Sequence, residues 1–205
     1  MSEKCEVDPD RGVFEKSVAR VGIFDLEIRR SVDDCGGWKA VISKGGVSLG
    51  CIWDEIDLYP HFYDDNDLEK LAEHLEKLDF LVTFNGKGFD VPLVEAHIGR
   101  KLSLKSHFDL FAAVKEALDR SGIPWKGHGL GPLCERTLGR GKLGTGEGAP
   151  LLLASGKVAD LVNYCLSDVM LTLELLEHAV NSGFVVAADG SKLFVDVPED
   201  LKSAL

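Results

Sequence analysis

The run from Val18 to Ile28 is strongly apolar, broken only by Ala19, Arg20, Gly22, Asp25 and Glu27. It reads as a strand buried on both faces in the middle of a sheet. Beyond the Gly36-Gly37 break, Trp38 to Lys44 fits either helix or strand, Val47 to Trp53 predicts a second strand, and Leu58 to Tyr63 a short third. Leu68, Leu71, Ala72, Leu75 and Leu78 recur at helical spacing, so Asp67 to Leu78 predicts a helix with Asp67 as its cap and its acids on a solvated face. Phe80 to Phe84 predicts a short buried strand that ends in an Asn85-Gly86 turn. Asp90 opens the next helix, with Pro92 in its first turn and Gly99 as its stop. Ser106 to Asp109 gives a further strand end, followed by helices at Leu110 to Leu118 and Leu130 to Leu138. Five glycines in the twelve residues from Gly139 to Pro150 predict a mobile loop. A long helix from about Lys157 to Val180 follows, and Phe184 to Val197 reads as a hairpin turning at Asp189-Gly190.

Strands first, then strands alternating with helices, imply an α/β fold with a mixed sheet flanked by helices. Residues 1–17 carry charges and Pro9 without a periodic apolar face and read as a flexible arm. The domain proper then spans 18–180, and the hairpin and tail at 181–205 pack on it. No internal repeat is visible.

Several acids in these elements stand out. Asp25 and Glu27 are two apart on a strand, so both side chains point to one face. Burying adjacent carboxylates is unfavourable by several kcal/mol unless a positive group meets them, and a metal ion is one such group; a solvated strand end is the alternative. Asp90, after a glycine-rich turn, is either a helix cap, a ligand, or both. Tyr164 and Asp168 are four apart on the last long helix and share a face, at the flank of its apolar stripe. A core-edge tyrosine beside a surface aspartate would give the same pattern.

Composition narrows the chemistry. The 205 residues are 45% hydrophobic and 28% charged, with no apolar run approaching the ~20 residues of a membrane span. The polar, acidic start has no secretory character, so a cytoplasmic location is expected. The five cysteines, at 5, 35, 51, 134 and 165, lack paired spacing and read as reduced thiols; the six histidines show no ligand spacing. Carboxylates are therefore the only clustered metal-binding groups, and hard oxygen ligands point to magnesium or manganese. The net charge of -11 weakens affinity for polyphosphate. The imbalance is local: residues 54–79 hold ten acids against two lysines, whereas 125–142 holds Lys126, Arg136, Arg140 and Lys142 against Glu135 alone.

Asp-x-Glu on a first strand, Asn-x-x-x-Phe-Asp at a later strand-to-helix turn and Tyr-x-x-x-Asp on a final helix follow one another here as Asp25/Glu27, Asn85/Phe89/Asp90 and Tyr164/Asp168. In that order the sequence resembles the DEDDy 3′-to-5′ exonucleases of the ribonuclease H-like superfamily, which include the proofreading domains of family B DNA polymerases. The resemblance covers roughly residues 18–180. It implies a ribonuclease H-like fold, with Asp25, Glu27, Asp90 and Asp168 holding two Mg2+ or Mn2+ ions and Tyr164 positioning the attacking water. It also implies that Asn85 and Phe89 seat the terminal nucleotide of a single-stranded DNA or RNA 3′ end. Relatives commonly have threonine after the first-motif glutamate, where this chain has Ile28, and the stretch from Phe24 to Trp38 is longer and more charged than the proofreading pattern.

Lys142 either contacts phosphate or is a solvated surface charge. Asp109 reads as the cap of the next helix, Asp33 and Asp34 as a solvated loop with reach to the metals as the alternative, and Trp38, Trp53 and Trp125 as core or edge aromatics, with base stacking the alternative, most open at Trp125. Two rivals remain: a catalytically silent nucleic-acid or protein binding module, and a structure-cutting endonuclease on the same fold. The acidic charge leaves room for a protein partner that supplies positive surface.

Overall fold

The apolar run near the start becomes strand β1 (Val21–Ile28), the middle strand of a five-stranded sheet. The computed structural model describes residues 18–142 and 148–205. The arm expected at 1–17 lies outside the described residues, as does the middle of the glycine-rich loop. After β1 come the short helices α1 (Val32–Cys35) and α2 (Trp38–Lys44), then β2 (Val47–Asp54), β3 (Tyr59–Tyr63) and α3 (Leu68–Lys77). β4 (Phe80–Thr83), α4 (Asp90–Ile98), β5 (His107–Asp109), α5 (Leu110–Arg120) and α6 (Leu130–Leu138) follow. α7 (Gly148–Ala154), α8 (Val158–Ser182), the hairpin β6 (Phe184–Val186) and β7 (Lys192–Phe194), and α9 (Glu199–Lys202) complete the chain.

The sheet order is β3-β2-β1-β4-β5. β1 runs antiparallel to β2 and parallel to β4, and β4 runs parallel to β5, so the sheet is mixed as expected. Alternation along β1 sends Val21 and Ile23 into a core with α5, α6, α8 and the hairpin, and Phe24, Leu26 and Ile28 into a second core with α2, α3 and α4. The C-terminal hairpin belongs to the first core, where Val185, Leu193 and Val195 are buried.

Three local readings change. The ambiguous Trp38–Lys44 segment is helical, entered through Gly36 and Gly37 at φ 89° and 109°, and it buries only Val41. The expected loop ends at Gly148, where α7 begins and seats Ala149 in the first core. Asp67 occupies the cap position of α3, but its carboxylate accepts no amide; it instead takes Lys70 Nζ at 2.6 Å.

The start of β1 is fastened by a polar network. Arg20 donates its amide to Asp79 at 2.8 Å and its guanidinium to Asp54 and Asp57 at 2.6 and 2.7 Å. His74 Nε2 lies 2.9 Å from Asp54, Tyr63 Oη is 2.8 Å from His74 Nδ1, and His61 Nε2 is 3.0 Å from Asp57.

Candidate active site

β1 is longer than its parallel neighbour. Val21–Ile23 pair with Phe80–Val82, β4 stops at Thr83, and the far half of β1 therefore lacks a strand partner on that side. Asp90 replaces it: its Oδ1 accepts the Leu26 amide at 3.3 Å. This bond brings the first residue of α4 to the strand end that carries Asp25 and Glu27. Asp90 is therefore a buried acceptor for β1, while Phe89 holds the cap position of α4.

The turn between β4 and α4 is tightly held. Asn85 is left-handed at φ 71°, and a Cβ on Gly86 would lie 2.5 Å from the Thr83 side chain, so only glycine fits there. Asp109 at the end of β5 accepts the Asn85 and Lys87 amides at 2.9 Å each and caps α5 through the Ala112 amide at 3.2 Å. The cap expected of Asp109 is present, and the clamp on the neighbouring turn is an addition to it.

From the other side, α8 lies across the β1 face that bears Asp25 and Glu27. Cys165 meets the Asp25 carbonyl, with its sulfur 3.7 Å away. Tyr164 and Asp168 flank it and are both buried. The residues of the three motifs, Asp25, Glu27, Asn85, Phe89, Asp90, Tyr164 and Asp168, line one cleft of about 890 Å³ together with Lys142. Tyr164, Asp168 and Asp90 are buried, and of the strand-end pair Glu27 is buried and Asp25 half-buried, so none of them is a solvated surface feature.

Burial and mutual repulsion govern the charges. Burial holds the Asp25 carboxyl well above its ordinary value, and the charges of Asp90, Glu27 and Asp168 push it further up. Burial and Asp168 raise Glu27 to about 8. Burial raises Asp90 to about 7, against the pull of its own amide and that of Leu26. Asp168 is raised by burial, opposed by Lys142. The Tyr164 phenol is raised by burial and by the surrounding acids.

Lys142 is not a solvated surface charge. Its ammonium turns inward to 2.5 Å from Asp168 Oδ2 and stands 6.0 Å from the centre of the Tyr164 ring. One cation among four carboxylates leaves the group short of positive charge. Asp168 Oδ1 and Tyr164 Oη are buried without a hydrogen-bond partner among the described residues. An all-oxygen donor set with an unmatched carboxylate oxygen fits a hard divalent cation such as magnesium or manganese. Cys165 Sγ lies within 4.8 Å of ligand atoms of Asp25 and Glu27, but it meets the Asp25 carbonyl, and a soft sulfur is a poor match for a hard divalent cation.

Carboxylates are not the only clustered ligand-type groups. Asp54, His61 and His74, remote in sequence, also bring such atoms within 4.8 Å of one another. There Arg20 already neutralises Asp54, and the side chains bond one another. The two groups differ in having matched and unmatched polar atoms.

The basic stretch is largely engaged internally. Arg140 pairs with Glu174, Arg136 donates to the Val186 and Gly127 carbonyls, and Lys142 faces the acids. Arg29 and Arg30 line the cleft instead, on the segment joining β1 to α1, and so does Trp38. Trp53 is half-buried at the edge of the first core. Trp38 and Trp125 are exposed rather than in the core, and only Trp38 is in the lining. Asp33 and Asp34 are exposed, on α1 rather than a loop, and both are in the lining of the cleft.

A profile described as the RNase H superfamily matches residues 47–140, from β2 to just beyond α6. A comparison with curated proteins found no match. Among solved structures, the family B DNA polymerase from the hyperthermophilic archaeon Pyrobaculum calidifontis is similar at a TM-score of 0.55 and 20% identity. The likeness covers 79% of this chain and 24% of the polymerase, so the chain spans about a quarter of that protein's length. The mixed sheet with helices on both faces, the profile and the structural likeness together give this chain the ribonuclease H-like α/β fold.

Proposed function

We propose that the protein is a metal-dependent nuclease of the DEDDy type that removes nucleotides from the 3′ ends of single-stranded DNA or RNA. The observation that carries this reading is the meeting of four carboxylates and a tyrosine in one cleft, with Asp168 Oδ1 and Tyr164 Oη unmatched. The likeness to a DNA polymerase supports nucleic acid as the substrate class.

Asp25, Glu27, Asp90 and Asp168 would hold two magnesium or manganese ions. Such ions, when bound, activate water and stabilise the departing 3′ oxygen of a phosphodiester. The chain's own groups do the rest. The Tyr164 phenol, raised above its ordinary value, keeps its proton and orients the attacking water as a hydrogen-bond partner rather than removing a proton from it. The Lys142 ammonium, beside Asp168, offers positive charge to the phosphate at the same point. Asn85 and Phe89, on the clamped turn before Asp90, seat the terminal nucleotide at the cleft. A partner protein supplies further positive surface in this reading, because Arg136, Arg140 and Lys142 of the basic stretch already have partners within the chain.

One observation favours a second reading. Lys142 already pairs with Asp168, and the chain carries a net charge of -11, as a silent binding module would tolerate. The two readings separate on end-labelled single-stranded DNA and RNA incubated with magnesium, manganese or chelator. A ladder receding from the 3′ end, abolished by chelator and reduced at least about 100-fold in Asp25→Ala and Asp168→Ala, supports the exonuclease. Binding without cleavage supports the module, and internal cuts support an endonuclease.

A further inference from the structure

Trp38 is the least expected lining residue of the cleft. Its indole is 70% exposed, although a tryptophan normally has most of its surface covered. It projects from the start of α2, immediately after the two left-handed glycines Gly36 and Gly37. Its ring meets that of Phe89 edge to face, with centroids 5.9 Å apart and planes at 75°. An edge contact covers at most one face of the indole, so a flat ring can still lie against the other. Phe89 is bonded in sequence to Asp90, which sets the indole one aromatic contact away from the acid cluster. Leu151 of α7, in the same lining, is also 70% exposed. The Arg30 guanidinium, in the same lining, has no carboxylate partner among the described residues and donates to the Asp34 carbonyl at 3.1 Å, whereas that of Arg29 is tied to Asp65 at 2.6 Å.

An open aromatic face, an exposed apolar side chain and an uncommitted guanidinium, in one lining with the acids, suit one ligand chemistry: an unpaired nucleobase joined to a phosphodiester. We infer that Trp38 is a base-stacking residue that selects unpaired over paired nucleic acid, with Arg30 meeting the backbone phosphate. A base within a duplex has both faces covered by its neighbours and gains nothing from the indole; a free base does. The inference deepens the function proposed above and rests on it.

Fluorescence anisotropy of a labelled oligothymidylate, with calcium as the divalent ion, tests this directly. Trp38→Ala should weaken binding about 10-fold or more, and Trp38→Phe should recover most of the loss. An oligomer of the same length built from abasic sugar phosphates should bind the wild-type protein and Trp38→Ala equally. Equal affinity of both proteins for oligothymidylate overturns the inference while leaving the nuclease reading intact. Equal losses on the two oligomers overturn it too, because the residue would then act through the fold rather than the base. If the wild-type protein binds neither oligomer, the inference and the proposed function fall together.

Discussion

Lys142 Nζ lies 2.5 Å from Asp168 Oδ2, within the group of carboxylates. The position suits a cation, and the lysine and a divalent ion would compete for the same negative charge. Lys142→Met should destabilise the metal-free protein by about 2 kcal/mol in urea unfolding, because it leaves Asp168 buried and unpaired. The same variant should bind manganese about 3- to 10-fold more tightly by calorimetry, since the ion no longer displaces an ammonium. Weaker manganese binding would mean that Lys142 assists the ion rather than competing with it.

The raised carboxyls make stability depend on pH in a defined direction. In the folded state Glu27 titrates near 8 and Asp90 near 7, against ordinary values of 4.5 and 3.8. At about pH 7 the fold still holds protons on these groups that the unfolded chain has released. Raising the pH to about 8 removes protons from the folded state alone, so the metal-free protein should lose about 1 kcal/mol of stability over that interval. His107, lowered to about 4, is neutral in the fold throughout this window, so it does not reverse the trend. Added magnesium should stabilise more at the upper end than at the lower. Unfolding midpoints in chelator that rise between the two pH values would contradict the proton assignment.

Asp109 holds three amides from two elements, and its removal should be felt at Asp90 without touching it. Asp109→Ala should lower stability by about 2–3 kcal/mol, from the lost cap of α5 and the freed Asn85 and Lys87 amides. It should also reduce 3′-end trimming, because the turn that presents Asp90 is no longer fastened. Unfolding and activity measured together check both halves. A variant of full activity and lowered stability would show that the turn holds its shape unaided.

Much of this arrangement was legible in the chain. Alternation along β1 placed Asp25 and Glu27 on one face, and helical spacing joined Tyr164 to Asp168, because both follow from backbone periods that no tertiary contact alters. The Asn85-Gly86 turn and the hairpin at Gly190 were readable for a similar reason: each needs a left-handed residue. The Trp38–Lys44 helix was not, since it buries one side chain and carries no clear periodic stripe. For Lys142 the sequence left phosphate contact and solvated charge both open, and its pairing with Asp168 could not be read because that partner is 26 residues away. The Asp54/His61/His74 group was missed for the same reason, being assembled by strand pairing and α3 rather than by spacing.

The Arg20 network at the other end of β1 acquires a meaning from the strand's alternation. Sliding β1 by one residue against its neighbours would turn Asp25 and Glu27 toward the leucines of α3 and put Phe24 and Leu26 on the face those acids now occupy. Arg20, gripped by Asp54, Asp57 and Asp79, resists that slip from the far rim of the sheet. The alignment of the acidic centre is thus anchored by a guanidinium that never enters it, and damage at that distant clasp would register as lost chemistry.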